Sequence, residues 1–386
     1  MRVNNEKQIG FSFLISLYIA LKPVYFFDSG MLQISDFVLI FSIGFYLLKQ
    51  RYSITNCISK QYGTFLTLLL MYQILINVLW YIGFPDNRLL VSCMFYIYNF
   101  IAFFYFISVG SNFGVDYLRK SIVIGILLSS FITMLGILTV SSTAERQTGF
   151  FNNPNQLGLH GLLIITLLLL TSKNNTKMIN SIVGFISIYS ILLSASKAAF
   201  ISCAVLIALC TLFISGDKKI WRKMIVVIIL VFIAYIFLFS ELSFLHQDSK
   251  ILYMRRRLEL MSAESDSNLA TGRGYARIKE MGIHLLWGMG EGAYSRFEIM
   301  ENHEVHSLIA NLIVSYGLIG AIGYAILWGG LVKNKSKTFK NTIILSGIIL
   351  YSISHNSVRN TLLWLIFSLL FLEKNTTIVK NEVLDG

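Results

Sequence analysis

The chain has 386 residues, of which 55% are hydrophobic and 13% are charged, and its formal net charge is +12. Soluble domains carry about 25% charged residues, so this composition excludes a soluble globular protein of this length. Long apolar runs, in place of short alternating segments, also exclude a membrane β-barrel. The composition therefore predicts an all-α, polytopic integral membrane protein.

A helix needs about 20 mostly apolar residues to cross the bilayer. Because the first apolar run is followed directly by another, we expect an uncleaved first helix. We predict one transmembrane domain over residues 1–386, with one large external loop at 241–303. Counting apolar runs predicts about twelve spans, near residues 9–27, 31–48, 63–83, 88–109, 120–140, 155–172, 178–194, 198–215, 221–240, 304–332, 341–354 and 356–373.

The distribution of Lys and Arg predicts the orientation. With the N-terminus in the cytoplasm, the cytoplasmic segments hold 19 Lys and Arg residues, and the short external loops hold 5. Because cytoplasmic loops are enriched in Lys and Arg, both termini are predicted to be cytoplasmic. The same bias accounts for most of the positive charge, so no nucleic-acid partner is expected. The long loop and the polar turns near 146–155, 194–197 and 354–360 then share the external face.

The sixth predicted span begins with Phe150–Gln156, which reads FFNNPNQ. A turn with a helix cap at Asn153 or Asn155 is the structural interpretation of this sequence. Hydrogen bonding of these side-chain amides to sugar hydroxyls or phosphate is the functional alternative. The residues by themselves favour the cap.

Two single cations stand in short external turns. Lys197 ends the turn Ser194–Lys197, and Arg359 ends the segment His355–Arg359. Each side chain either extends along the membrane surface or neutralises a pyrophosphate.

The long loop contains two arginines four residues apart, Arg273 and Arg277. The apolar positions of 269–287 have helical spacing, which predicts a helix on the membrane surface with both arginines on one face. A guanidinium group matches two phosphate oxygens, so these side chains are candidate phosphate ligands. Binding of anionic lipid head groups is the alternative.

His303 and His306 stand where the loop meets the tenth predicted span. Their spacing of three residues places them on one helix face. Since an imidazole can accept a proton near neutral pH, His306 and then His303 are candidate functional residues. An interfacial histidine without a role is the alternative. No motif for nucleotide or metal binding is present, so we expect no cofactor.

These segments resemble the O-antigen polymerase and ligase superfamily, and they occur in that family's order. The resemblance covers GFFNNPNQLG (149–158), SASKAAF (194–200), TGRG (271–274), GMGEG (288–292), HEVHSLIANLIVSYGLIG (303–320) and HNSVRNTLLW (355–364).

The resemblance implies a metal-independent glycosyltransferase of the all-helical membrane (GT-C) class, with its site on the periplasmic face of the bacterial inner membrane. The donor would be an oligosaccharide on undecaprenyl pyrophosphate, and membrane lipid and a chain-length regulator protein would be partners. Carried over, His306 activates the acceptor hydroxyl and Arg273 binds the pyrophosphate. Arg277, Lys197, Asn155, His303 and Arg359 complete the expected substrate-binding set.

Polymerase is the leading interpretation, because Lys197 stands where ligases of this family more often have Arg. A ligase that moves the glycan to lipid A–core is the first alternative. A flippase for lipid-linked sugars is the alternative from another class. Transporters usually carry ionisable residues within the membrane, whereas here the predicted spans are almost free of charge.

Overall fold

The computed structural model describes residues 5–28, 30–49, 60–140, 146–172, 177–214, 273–297, 304–332 and 338–384. Every regular element in these ranges is helical. Two short 3-10 turns, Ala276–Glu280 and Ala293–Ser295, accompany the α-helices. The α-helices are α1 (Asn5–Leu21), α2 (Ile34–Lys49), α3 (Lys60–Gly83), α4 (Asn87–Phe113), α5 (Val115–Thr139), α6 (Pro154–Thr171), α7 (Lys177–Ser194), α8 (Lys197–Phe213), α9 (His284–Trp287), α10 (Leu308–Val332), α11 (Thr338–Ser354) and α12 (Thr361–Leu384).

Within the described ranges, six helices are long and apolar enough to cross a membrane, namely α3, α4, α5, α6, α7 and α10. Shorter apolar helices occur at Ile9–Leu21, Lys197–Phe213, Phe339–Ser354 and Thr361–Glu373. These helices agree with the prediction of a multi-pass helical membrane protein. The predicted span 221–240 and much of the predicted loop lie outside the described residues, so the count of about twelve spans stays a prediction.

Apolar side chains cover much of the exposed helix surface. Only 28% of the most apolar stretch of α3 is buried, and Leu68, Met71 and Leu75 on this helix are all more than half exposed. Large exposed apolar patches are rare on soluble monomers. Hydrocarbon is the environment in which these helix faces would be stable.

The described chain divides into two compact units. The first comprises Met1–Gln50, Phe113–Ala263 and Phe339–Leu350, and the second comprises Arg51–Asn112, Glu264–Thr338 and Tyr351–Gly386. The prediction of a single transmembrane domain stays a prediction. Each unit is built around its own set of packed helices.

Small residues bring the helices of the first unit close together. Gly125 of α5 faces Ile19 of α1, where an added Cβ would lie 2.8 Å from the Ile19 Cβ atom. Gly161 of α6 faces Ser187 and Ser190 of α7 in the same way, at 2.8 Å. Membrane helices associate largely by such close packing, because lipid gives no hydrophobic drive between them.

The segment between α1 and α2 is held by a buried ion pair. Lys22 Nζ lies 2.8 Å from Asp36 Oδ1, and both side chains are less than a tenth exposed. The side chain of Gln33 stabilises the connection between Lys22 and Asp36, since its amide oxygen accepts hydrogen bonds from the N–H groups of Phe26 and Phe27. Pairing and hydrogen bonding together make these buried polar groups tolerable.

In the second unit, aromatic side chains of α4 pack on α12, with Trp364 fully buried against Phe100 and Phe103. The helix α10 is broken in its middle, because Gly317 has φ 64° and ψ −170°. Only glycine adopts this backbone region readily. The break positions the candidate site described below.

Candidate functional site

In the first unit, the Asn-rich start of α6 forms the predicted turn and cap. The Asn153 side chain accepts a hydrogen bond from the Gln156 N–H at 3.0 Å, and Pro154 occupies the first turn. The cap prediction is therefore confirmed at Asn153. The Asn155 amide oxygen accepts a hydrogen bond from Arg146 Nη2 at 2.7 Å.

Arg146 connects this turn to the next one, since its Nε donates to the Ser194 carbonyl at 3.0 Å. Lys197 is half-buried at the first position of α8, just after that turn. The first unit thus places Asn155, Arg146 and the 194–197 turn together. Arg146 is a member of this cluster that the sequence interpretation did not single out.

In the second unit, the arginine segment does not form the predicted surface helix. Residues 276–280 form a 3-10 turn, and only the four residues of α9 are α-helical. The prediction of one helix over 269–287 is therefore wrong for its described part. Gly274 and Gly282 have positive φ angles of 86° and 54°, which an L-residue in a regular helix does not adopt.

The arginine segment packs on the residues that precede α10. A Cβ on Gly274 would lie 2.9 Å from the Val305 side chain, so these two backbones approach closely. The Tyr275 hydroxyl lies 2.7 Å from Ser307 Oγ and donates to the Ile353 carbonyl at 2.6 Å. Hydrogen bonds of Tyr275 thereby connect three segments of the chain, around residues 275, 307 and 353.

These contacts bring Arg273 and Arg277 beside the segment that carries His306. Arg273 is half-buried and Arg277 is buried, and the helix that was predicted to place both on one face is absent from the described part of this segment. His306 is exposed between the buried residues Val305 and Ser307. His303 lies outside the described residues. An exposed imidazole held by buried neighbours on both sides is accessible to a substrate.

The glycine-rich segment Gly288–Gly292 docks against the broken helix α10. Met289 N–H donates to the Val314 carbonyl at 2.8 Å, and Gly290 N–H donates to the Ser315 carbonyl at 2.9 Å. Here backbone N–H groups of the loop satisfy helix carbonyls that lose their helical partners near the break. A loop segment is thus built into the helix packing of this unit.

Side chains of α3 hold both sides of this docked segment. The Tyr72 hydroxyl bonds to the carbonyls of Trp287 and Tyr316, each at 3.0 Å. Trp80 Nε1 donates to the Gly288 carbonyl at 3.1 Å. Since non-helical backbone within a membrane must have its polar groups satisfied, these bonds stabilise the break.

The docked segment places a buried carboxylate, Glu291, inside the second unit. Its Oε1 accepts hydrogen bonds from the Tyr96 hydroxyl at 2.7 Å and the Tyr316 hydroxyl at 3.3 Å. Asn311 Nδ2 donates to both carboxylate oxygens, at 3.4 and 3.5 Å. The backbone N–H of Glu291 donates to Asn77 Oδ1 at 3.0 Å. Three side chains from α4 and α10 therefore fix this carboxylate, and Asn77 of α3 fixes the backbone of the same residue.

Arg359 is the charged partner of Glu291. Its Nη2 lies 2.9 Å from Glu291 Oε2 and 2.9 Å from Ser92 Oγ. The Glu291 side chain is 3% exposed, whereas that of Arg359 is 39% exposed. The ion pair therefore joins a carboxylate in the interior to a guanidinium group that remains accessible. Sequence reasoning singled out Arg359 but missed Glu291, for which the signal was one acidic residue inside the glycine-rich sequence GMGEG.

A second ion pair fixes the chain after the docked segment. Asp86 Oδ2 lies 3.3 Å from Arg296 Nη1 and accepts a hydrogen bond from Ser295 Oγ at 3.1 Å. Arg296 also donates to the Met289 carbonyl at 2.9 Å. Partial burial acts to raise the pKa of Asp86, but the Arg88 N–H, the Ser295 hydroxyl and the two guanidinium charges outweigh it and hold this pKa below its usual range.

We expect Asp86→Asn to reduce the stability of the purified protein by about 1–3 kcal/mol at pH 7, because hydrogen bonds to a charged group are lost. A carboxylate with a lowered pKa in the folded state stabilises the protein above its unfolded pKa of about 3.9, and this stabilisation is lost as pH falls through the folded pKa. Thermal unfolding in detergent should therefore show a gap between wild type and variant that closes below about pH 4. A gap of constant size would contradict the assignment.

Comparison with protein-family models, curated proteins and solved structures gives no match. The residues and their contacts therefore carry the functional argument.

Proposed function

We propose that this protein is a glycosyltransferase that polymerises polyprenyl-pyrophosphate-linked oligosaccharides at the external face of the bacterial inner membrane. The observation that supports it best is the packing of the Arg273–Arg277 segment against Val305 and Ser307. This packing brings the segment that carries Arg273 beside the segment that carries the exposed His306. Such a transfer requires both groups, one for the anionic leaving group and one for the acceptor proton.

In the proposed reaction, an acceptor sugar hydroxyl attacks the anomeric carbon of the donor glycan. A new glycosidic C–O bond forms, and the bond from that carbon to the pyrophosphate oxygen breaks. His306 accepts the hydroxyl proton, and the polyprenyl pyrophosphate departs with the bonding electrons. Arg273 and Arg359 balance the charge on that leaving group, which is the main electrostatic demand of the step.

A flippase for lipid-linked oligosaccharides is the second candidate, and one observation favours it. The carboxylate of Glu291 is buried beside a broken helix, and transporters often build their sites from discontinuous helices and intramembrane ionisable groups. The Glu291 carboxylate is paired with Arg359 at 2.9 Å, which suits a fixed anchor better than a group that cycles its proton.

Deletion of the gene in its native host separates these candidates by the surface glycans that remain. Loss of a polymerase should leave core carrying a single repeat unit, without the ladder of longer chains on a gel. Loss of a ligase should leave unsubstituted core while lipid-linked polymer accumulates. Loss of a flippase should trap single lipid-linked units in the cytoplasmic leaflet. An unchanged ladder in the deletion strain would exclude the polymerase.

A further inference from the structure

We propose that Glu291 is a positioning residue that aims the Arg359 guanidinium group at the pyrophosphate of a lipid-linked substrate. The inference rests on the proposed function and extends it to a residue outside the predicted site. Arg359 would touch the substrate, and Glu291 would act through Arg359 alone.

The first argument is the asymmetry of burial within the pair. Glu291 is almost completely buried, while the Arg359 side chain is 39% exposed. An ion pair that served the fold alone has no need of an open guanidinium group. The ion pair Asp86–Arg296 in the same unit differs in this respect, because its Arg296 side chain is only 5% exposed.

The second argument is how the guanidinium group is used. Only Nη2 of Arg359 is engaged by described residues, and it contacts both Glu291 and Ser92. Guanidinium presents five N–H donors in a rigid fork. The Arg359 Nε is buried without a hydrogen-bond partner in the described part of the chain, so Nη1 is the nitrogen left for a ligand. A guanidinium group held through Nη2 has a fixed orientation toward a second anion, and phosphate oxygens match its donor geometry.

The third argument is the rigidity of the anchor itself. The Tyr96 and Tyr316 hydroxyl groups and the Asn311 amide hold the carboxylate. The Asn99 amide holds the backbone carbonyl of Arg359 at 3.3 Å. Both ends of the pair are thus fixed before any ligand binds. Preorganised charges of this kind bind anions without a cost of reorganisation.

The position of Arg359 along the chain agrees with this role. The turn that carries Arg359 follows Ile353, whose carbonyl accepts the hydrogen bond from Tyr275. Tyr275 also contacts Ser307, the neighbour of His306. The chain therefore enters the Arg359 turn from the place where the arginine segment meets the His306 segment.

The test measures binding of undecaprenyl pyrophosphate to the purified full-length protein in nanodiscs. Undecaprenol, which lacks the phosphates, is the parallel probe. We expect Arg359→Gln to weaken pyrophosphate binding about tenfold or more, because charge-assisted hydrogen bonds are lost. Binding of undecaprenol should not change in any variant.

Glu291→Gln decides between positioning and simple charge balance. Removing a negative charge beside the site should strengthen anion binding if Glu291 only neutralises Arg359. A positioning residue predicts the opposite, a loss of about fivefold, because the guanidinium group is released. In the Arg359→Gln background the same change should have no further effect on affinity, since Glu291 acts through Arg359.

Two further variants guard the interpretation. Asp86→Asn breaks the matched pair and should lower stability while leaving pyrophosphate affinity unchanged. If Glu291→Gln gives no folded protein, Tyr96→Phe replaces it, since it removes one hydroxyl from the carboxylate and should weaken binding about twofold to threefold. Equal or tighter pyrophosphate binding by folded Glu291→Gln overturns the inference, and so does equal or tighter binding by Tyr96→Phe where Glu291→Gln does not fold. Unaltered binding by Arg359→Gln overturns it too.

The binding test is separable from the proposed function. If the pyrophosphate affinities follow the expected pattern while deletion leaves the glycan ladder intact, the polymerase proposal fails and the role of Glu291 stands. If deletion leaves core with a single repeat unit while Glu291→Gln and Arg359→Gln bind pyrophosphate like wild type, the roles of Glu291 and Arg359 fail and the polymerase proposal stands.

Discussion

His306→Ala is expected to abolish polymeric surface glycan while the protein stays at wild-type level in the membrane. General-base catalysis contributes about 10²–10⁴-fold to a rate, so removal of the base should leave too little turnover for a visible ladder. The His306 side chain is exposed, and its loss therefore removes little packing. The measurement is a plasmid complementation of the deletion strain, read by gel analysis of the glycans and an immunoblot of membranes.

Two companion variants make this result specific. His306→Gln keeps much of the side-chain size without a base and should be as inactive as His306→Ala. Lys279→Ala changes an exposed cation in the same loop and should restore a normal ladder. A normal ladder from His306→Ala would remove His306 from the mechanism. Loss of protein from the membrane in this variant would show a folding role instead.

The sequence signals that singled out Arg273 and His306 differ in kind. The His306 position follows from a local signal, the boundary between a polar loop and an apolar run, and the structure has α10 beginning two residues later. The Asn153 cap was also a local signal, and the hydrogen bond to Gln156 confirms one of the two predicted capping residues. The predicted helix over Arg273 is wrong, since Gly274 has φ 86° and packs closely on Val305, and helical periodicity does not reveal such a contact.

Glu291 shows why the rest of the site could not be predicted. Its partner Arg359 is 68 residues away in the chain, and its other contacts come from α3, α4 and α10. In the sequence, Glu291 is one acid in a loop that was expected to lie outside the helices. Only the docking of Gly288–Gly292 against α10 brings the carboxylate among buried tyrosines. A contact between distant segments has no periodic or compositional signature in a single sequence.

The same docking predicts that Gly317→Ala will prevent the second unit from folding correctly. Gly317 has φ 64° and ψ −170°, and a Cβ on this residue would collide with the Leu286 carbonyl. Backbone strain of this kind costs about 1–3 kcal/mol, and the collision with a fixed backbone adds to it. We expect a loss of more than about 3 kcal/mol in total, enough to unfold many marginally stable proteins.

The measurement is the yield of monodisperse protein in detergent and its thermal unfolding midpoint. Gly329→Ala is the matched control, because it lies in the same helix and an added Cβ there meets nothing within 4 Å. Replacing a helical glycine by alanine should stabilise α10 by about 1 kcal/mol. Gly288→Ala should behave like Gly317→Ala, since its Cβ would meet the Ser315 carbonyl. If Gly317→Ala were as stable as Gly329→Ala, α10 would continue unbroken through Gly317, and the anchor for Glu291 would have no basis.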